Sequence, residues 1–192
     1  MREQELLAFI GQRLTEARFQ HSRRVAETAR FLARTWGLDE DKCYQAGLLH
    51  DIARDLSPEE LLKQAASCGI VWDEIEGHFP VLLHGPVGAE ILRRELAVTD
   101  EEILEAIRLH TTGDYPLSPT AKVIFLADYI EPGRDFSGAQ KAREAARRSL
   151  DAGVAVAVGE IIAYLTGQRY AVHPKAVNLY NHYVLNGFFG AG

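Results

Sequence analysis

The stretch Gly47-Leu48-Leu49-His50-Asp51 ends an apolar helical segment with two adjacent side chains that a hydrophobic core does not readily accept. Burying a charge without a partner or a metal ion is costly. The chain has further histidine and aspartate residues in comparable apolar or helix-terminal surroundings, namely His21, His84, His110 and Asp128. The pattern therefore predicts a site of imidazole and carboxylate ligands within a helical core.

Size and composition predict one globular domain spanning residues 1–192. Of these residues, 47% are hydrophobic and 25% are charged, which is ordinary usage for a soluble protein. The net charge of -6 argues against nucleic acid or an anionic membrane as a partner. An anionic substrate remains compatible with this charge, because a bound metal ion can reverse the local sign.

Cysteine usage and the absence of a targeting pattern predict a cytoplasmic protein. Cys43 and Cys68 lack CxxC spacing, so we expect no disulfide framework. No basic-apolar-small leader pattern opens the chain, and Val154–Leu165 is too short an apolar segment to span a bilayer.

Helical periodicity dominates, which predicts an all-α fold with almost no strand. Ser57-Pro58 and Ser118-Pro119 are typical helix starts, and Thr99 to Glu102 reads as a capping box. A first helical stripe consists of Leu6, Leu7, Ile10 and Leu14. A helix of about 16 residues begins near Phe19, with Gly37 as its C-terminal stop. The other expected helices are Glu40–Ala53, 58–69, 85–96, 101–110, 118–129, 136–166 with a break near Gly153, and 174–186, with a short helix or loop at 70–82.

Each candidate ligand also has a structural interpretation. His21 alone fits a solvated helix N-terminus, although Arg24 shares its helix face and could bind an anion. His50 could be a satisfied core histidine beside a surface Asp51, and Asp55 could be a base or a solvated acid. The remaining two could be helix-end residues: His84 as an N-terminal cap and His110 as a partner of the helix dipole.

Asp128 follows the apolar run Val123–Ala127, where a carboxylate needs a compensating partner. Arg134 could pair with Asp128 or with a substrate phosphate. After His110, the loop residues Thr111, Thr112 and Gly113 offer hydroxyls and a flexible backbone for a phosphate.

The other histidines and aromatic residues carry weaker signals. We interpret His78 and His182 as structural or exposed, and His173 as a residue near the pocket. Three aromatic side chains could stack a base, although a place in the core is favoured for them: Tyr129, Phe136 and Tyr170.

Taken together, the ordered set of four histidines and two aspartates fits two metal ions with open positions. Imidazole and carboxylate donors suit Fe, Mn, Co, Ni or Zn. Two ions can activate water and stabilise the attacking and leaving oxygens of a phosphoryl transfer. The residues thus point to hydrolysis of a phosphoester or phosphoanhydride.

Five segments resemble the YqeK family of HD-domain phosphohydrolases over about residues 5–185: His21–Ala26, Ala46–Asp51, Leu83–Ala89, Ile107–Gly113 and Ile124–Arg134. The resemblance implies an HD-domain helical bundle that hydrolyses diadenosine tetraphosphate symmetrically to two ADP, or related substrates to products such as GDP. It also implies a di-iron centre, and it allows a homodimer.

By this resemblance the six metal ligands are His21, His50, Asp51, His84, His110 and Asp128. Catalysis is expected from His50, Asp51 and Asp128. Substrate contacts are expected from His21, Arg24, His110, Thr111, Thr112, Gly113, Asp128 and Arg134.

Three other functions remain open from the sequence. One is a different HD-type nucleotide phosphohydrolase or phosphodiesterase. Another is a di-iron oxygenase, which the arginine and threonine set disfavours. The third is a nucleotide sensor that binds without turnover.

Overall fold

A computed structural model describes residues 3–188, and in that range the chain forms eleven α-helices and one 3₁₀ turn with no β-strand. The all-α prediction is confirmed. The helices are α1 Glu3–Gly11, α2 Glu16–Thr35, α3 Glu40–Leu49, α4 Pro58–Ser67, α5 Glu74–His78, α6 His84–Glu95, α7 Glu101–Leu109, α8 Pro119–Ile130, α9 Ser137–Ala146, α10 Leu150–Gly167 and α11 Pro174–Leu185, with the 3₁₀ turn at Pro80–Leu83.

Side-chain caps fix where several helices begin. The Ser57 hydroxyl accepts a hydrogen bond from the backbone N–H of Glu60. In return, the Glu60 carboxylate accepts one from the backbone N–H of Ser57. The Ser118 hydroxyl caps α8 by accepting a hydrogen bond from the N–H of Ala121. Both caps satisfy backbone donors that the first turn of a helix leaves unpaired.

The main core is built around α8, which lies between α2, α3, α7 and α10. Its central residues 123–127 are all buried. The helices α2 and α3 approach closely at Gly47, where a Cβ atom would lie 2.9 Å from Cα of Ala26. This packing brings the C-terminal end of α3 next to α2 and α8.

Three expected boundaries are wrong. The chain breaks at 147–149, where Ser149 caps α10, and Gly153 lies inside that helix because Leu126 and Ala146 pack where its side chain would be. The N-cap of α7 is Asp100 and not Thr99, since its Oδ1 accepts from the N–H groups at 102 and 103. The third helix ends at Leu49 instead of 53, and turns follow.

The helix α10 is longer than expected. Its 18 residues are long and apolar enough to cross a membrane by length and composition alone. Its N-terminal half is packed into the core, where Val154, Ala155, Ala157 and Val158 are fully buried. Burial in a globular core accounts for the apolar composition of that half. The two cysteines, Cys43 and Cys68, are free.

Candidate metal centre

Six side chains from five segments converge beside the C-terminal end of α3. Asp51 lies between two pairs of histidines: its Oδ2 atom is 3.7 Å from Nε2 of His21 and 3.4 Å from Nε2 of His50. Its Oδ1 atom is 3.2 Å from Nε2 of His84 and 3.5 Å from Nε2 of His110. The two oxygens of one carboxylate thus face two separate imidazole pairs.

Asp128 completes the set from the last turns of α8. Its Oδ1 atom lies 3.0 Å from Nε2 of His21 and 4.0 Å from Nε2 of His50. All six residues fall into overlapping triads whose ligand atoms lie within 4.8 Å of one another. Five of the six are buried, and Asp128 is partly exposed. The structure therefore brings together every residue that the sequence singled out as a ligand.

The other ring nitrogen of each histidine is occupied by an acceptor. Nδ1 of His50 donates to the carbonyl of Gly47 (2.7 Å), and Nδ1 of His110 to that of Ile107 (2.8 Å). Nδ1 of His84 lies 2.5 Å from a backbone carbonyl, and Nδ1 of His21 lies 3.2 Å from a carboxylate. Such contacts fix the proton on Nδ1, so each Nε2 presents a lone pair to the centre.

The Nε2 lone pairs that face the centre are buried and need a cation. Nε2 of His84 and Nε2 of His110 are only 2.9 Å apart, and the single hydroxyl proton of Thr111, 3.1 Å from both, can serve only one of them. Nε2 of His21 and Nε2 of His50 are buried without a hydrogen-bond partner among residues 3–188. Buried polar atoms are rarely left unpaired. The residues present therefore fit a divalent metal centre.

The electrostatics favour ionised carboxylates here. Burial would raise the pKa of Asp51, but His50, His110 and His84 outweigh it and hold that pKa well below its ordinary value. The pKa of Asp128 is likewise lowered against burial, chiefly by the neighbouring ring of His21, with His50 and His110 adding to the effect. Burial lowers the pKa of His50, yet the negative charges of Asp51 and Asp128 prevail and raise it. Two carboxylates thus attract positive charge to this point.

Glu131 is a supporting residue that the sequence analysis did not single out. It is buried, and its Oε1 atom lies 3.2 Å from Nδ1 of His21. Arg24 donates to it from Nε (2.6 Å) and Nη2 (3.3 Å), and the N–H of Gly133 donates to Oε2 (2.5 Å). Arg24 therefore orients Glu131, which in turn orients His21. The sequence did contain one signal for Glu131: it lies three residues after Asp128, a spacing that places two side chains on the same face of a helix.

Two further arginines contact the carboxylates of the centre. Arg18, also missed from the sequence, donates from Nη1 to Oδ2 of Asp51 at 2.9 Å. Arg134 donates to Oδ1 of Asp128 at 2.7 Å and to the backbone carbonyl of the same residue at 3.0 Å. Both guanidiniums are partly exposed, so they offer positive charge at the solvent side of the centre.

In the loop after His110, one residue contacts the centre and the next two contact the surrounding fold. The hydroxyl of Thr111 reaches the centre, as described above. Thr112 is buried and donates to the carbonyl of Gly113. Gly113 has φ +66°, and a Cβ there would lie 2.6 Å from the side chain of Leu179. The contacts of Thr112 and Gly113 are therefore structural, and their predicted role in substrate binding stays a prediction.

The remaining candidates have structural contacts. Asp55 accepts from the N–H of Thr15. His78 is exposed, and the ring of His182 stacks on Tyr115 at 3.7 Å. Phe136 and Tyr170 are 42% and 57% exposed, so their expected place in the core is wrong, whereas Tyr129 packs against the core.

His173 belongs to a second, smaller cluster with Asp73 and Glu76. Its Nε2 atom lies 3.2 Å from Oδ2 of Asp73 and 3.7 Å from Oε1 of Glu76. Here Nδ1 accepts a hydrogen bond from the N–H of Lys175, so the proton of a neutral ring sits on Nε2 and faces the carboxylates. This proton arrangement is the reverse of that in the main centre, and it suits a structural contact between α5 and α11.

Comparison with known proteins defines the class of the chain. The family model of the HD domain matches residues 18–133, a range that contains all six converging ligands. A crystal structure of a predicted HD superfamily hydrolase involved in NAD metabolism, from Clostridium acetobutylicum, is similar with a TM-score of 0.92. It shares 30% sequence identity and covers 97% of this chain and 98% of its own. The fold and the centre are thus those of an HD-domain protein.

Curated relatives narrow the class further. The symmetrical bis(5′-nucleosyl)-tetraphosphatase of Halalkalibacterium halodurans is 36% identical over 96% of this chain and 98% of its own length. The protein of the same name from Bacillus subtilis is 37% identical over 94% and 97%, respectively. A third, from Staphylococcus aureus, is 36% identical over 90% and 89%. The chain belongs to this family of HD-domain proteins.

Proposed function

We propose that the protein hydrolyses diadenosine tetraphosphate and related dinucleoside tetraphosphates symmetrically, releasing two nucleoside diphosphates such as ADP or GDP. The observation that supports this most strongly is Asp51, whose two oxygens face two separate pairs of unprotonated imidazole nitrogens. Relatives that align over nearly the whole chain are named as enzymes of this activity.

The ligand arrangement supports a centre for two ions with Asp51 between them. His21, His50 and Asp128 would hold one ion, and His84 and His110 the other, and the resemblance favours iron over Mn, Co, Ni or Zn. When bound, two such ions supply an activated water and Lewis-acid stabilisation of phosphoryl oxygens.

The residues of the chain would orient the substrate around this chemistry. Arg134 and Arg18 lie on the solvent side, where a polyphosphate has to enter, and their guanidiniums would bind non-bridging oxygens in competition with Asp128 and Asp51. The Thr111 hydroxyl, between His84 and His110, would hold a proton or donate it to a phosphate oxygen. His50, Asp51 and Asp128 are the proposed catalytic residues.

Arg24 has a different proposed role from the one expected from sequence. Because its guanidinium is bound to Glu131, it would act as a positioning residue for His21 and not as a direct phosphate ligand. The pKa of Arg24 is raised chiefly by its hydrogen bond to Glu131, as expected for an ion pair between the two side chains.

The partners and location follow from the same proposal. A nucleotide substrate would suit a cytoplasmic enzyme, and a net charge of -6 supports neither a nucleic-acid nor a membrane partner. A homodimer remains part of the proposal through the family resemblance alone.

Chromatography of reaction products tests the proposed function. The purified metal-loaded protein is incubated with diadenosine tetraphosphate, and ADP is expected as the sole nucleotide product. Formation of AMP and ATP would indicate asymmetric cleavage and overturn the proposal. So would stoichiometric binding of the substrate with no product, which would identify a nucleotide sensor.

A further inference from the structure

A cavity of about 840 Å³ opens between α2 and the segment from the end of α8 through α9. This volume lies within the range of pockets that hold small organic ligands. Aliphatic side chains of α2, α8 and α9 form part of its wall. Its basic side chains are those of four arginines: Arg23, Arg24, Arg143 and Arg147.

The charge of this cavity is opposite to that of the molecule. Four arginines and a single acidic residue, Glu27, line it, although the chain carries a net charge of -6. Arg143 is held in place by the carbonyls of Ile130, Glu131 and Arg134. Within residues 3–188, Arg23 and Arg147 form no ion pair, so their guanidiniums are available to an anion.

An aromatic ring stands in the same wall. Phe31 lines the cavity and is 67% exposed, so its ring is accessible to a ligand there. A nucleobase would cover this ring, because aromatic side chains stack bases of any sequence. Basic residues beside an uncovered ring match a ligand with a phosphate at one end and an aromatic base at the other.

The cavity is separated from the metal centre by Glu131. Nε2 of His21 faces Asp128, whereas its Nδ1 faces Glu131, and Arg24 contacts Glu131 from the cavity wall. The cavity therefore lies behind His21 and not on its ligand side. A ligand there would touch the centre only through Arg24 and Glu131.

We propose that this arginine cavity is a second nucleotide site, which binds a nucleoside diphosphate with its phosphates at Arg23 and Arg147 and its base on Phe31. The inference rests on the proposed function in one respect, since a nucleoside diphosphate is then the enzyme's own product. A diphosphate in the cavity attracts Arg24 away from Glu131, loosens the support of His21 and slows turnover. The site would thus give product inhibition that saturating substrate does not relieve.

Calorimetric titration of the metal-loaded protein with ADP tests the site. We expect two ADP per chain, one at the metal centre and one in the cavity. Arg147→Glu should bind one ADP and lose the inhibition that persists at saturating substrate, while its turnover without ADP is unchanged. Arg148→Glu is the matched control, because it reverses an exposed charge at the next position outside the cavity and should still bind two.

Phe31→Ala provides a second, independent variant. We expect it to weaken the second binding event about tenfold, whereas Phe79→Ala, another exposed phenylalanine, should leave both events unchanged. One ADP per chain in the unmodified protein, or two in Arg147→Glu, would overturn the proposed site. A higher KM for diadenosine tetraphosphate in Arg147→Glu without loss of an ADP equivalent would also overturn it, by assigning the cavity to the substrate.

The two proposals fail separately. If chromatography finds two ADP from each substrate but titration finds one ADP per chain, only the cavity is wrongly assigned. If the protein makes no ADP from diadenosine tetraphosphate yet Arg147→Glu removes an ADP equivalent, the proposed activity is wrong and the cavity stands.

Discussion

His50 is a polar side chain that lies fully buried among the apolar residues of the core. Its ring is completely buried, Nδ1 is bound to the carbonyl of Gly47, and Nε2 has no partner among the described residues. Leaving such an atom unpaired costs roughly 1–3 kcal/mol of folding free energy. A functional need for that atom explains why the cost is tolerated.

Individual residues were predictable where their chemistry conflicts with their surroundings. The six converging side chains were predictable as a set, because histidines and carboxylates in apolar or helix-terminal surroundings need partners. Glu131 and Arg18 were not, because an acid or an arginine near a helix end looks like ordinary surface charge. Only the folded geometry shows that Glu131 is buried against His21.

Glu131→Gln tests the supporting role of this carboxylate. The amide keeps the shape but loses the charge that holds Nδ1–H of His21 and pairs with Arg24. We expect metal affinity to fall about 10–100-fold, with kcat recovering when metal is added in excess. Titration of the metal-free protein with the metal measures this.

The matched control is Glu144→Gln, which changes an exposed glutamate on α9. It should leave metal affinity unaltered. Equal metal affinity in Glu131→Gln and the unmodified protein would remove Glu131 from the support of the centre.

At the level of helices, four of the six side chains of the centre lie at or just beyond a helix end. His50 and Asp51 follow α3, His84 begins α6 and His110 follows α7. The existence of most of these helices could be predicted from caps and apolar periodicity. Their boundaries depend on packing: Gly153 continues α10 because Leu126 fills the space where its side chain would be, a contact that no local pattern contains.

The approach of α2 to α3 is a second such contact, and Gly47→Ala tests it. The added Cβ would lie 2.9 Å from Cα of Ala26 and 3.3 Å from Cβ of Ala29, so α3 must move. We expect a loss of about 1–3 kcal/mol in the free energy of unfolding from overpacking, measured by chemical denaturation. Metal content should fall as well, since His50 follows the displaced turn.

Gly167→Ala is the control for the same chemical change. Nothing lies within 4 Å of a Cβ built at this end of α10. Alanine should therefore leave stability unchanged or raise it by up to about 1 kcal/mol through helix propensity. A Gly47→Ala protein as stable as the unmodified protein would show that α2 and α3 are not in close contact.

In the whole molecule, the metal centre connects α2, α3, α6, α7 and α8 at one point. Ions that bind only the folded state stabilise it by mass action. We expect a chelator to lower the thermal unfolding midpoint by about 5–10 °C. In a chain of this size, this shift corresponds to a loss of roughly 2–3 kcal/mol in the free energy of unfolding. Differential scanning calorimetry with and without chelator measures the shift.

An unchanged midpoint after verified removal of metal would contradict this coupling. His78→Ala should show the full chelator shift, because His78 is exposed, lies outside the centre and donates its Nδ1–H to the carbonyl of Glu74. His50→Ala should show little shift, because one ligand of the centre is missing.

The most direct measurement combines metal content and turnover of His50→Ala with those of His78→Ala. Elemental analysis should find two ions per chain in the unmodified protein and in His78→Ala. His50→Ala should lose metal and at least about 100-fold of its activity on diadenosine tetraphosphate, since Nε2 of His50 has no hydrogen-bond partner within residues 3–188. Full metal content and full turnover in His50→Ala would show that the six converging side chains are not the catalytic centre.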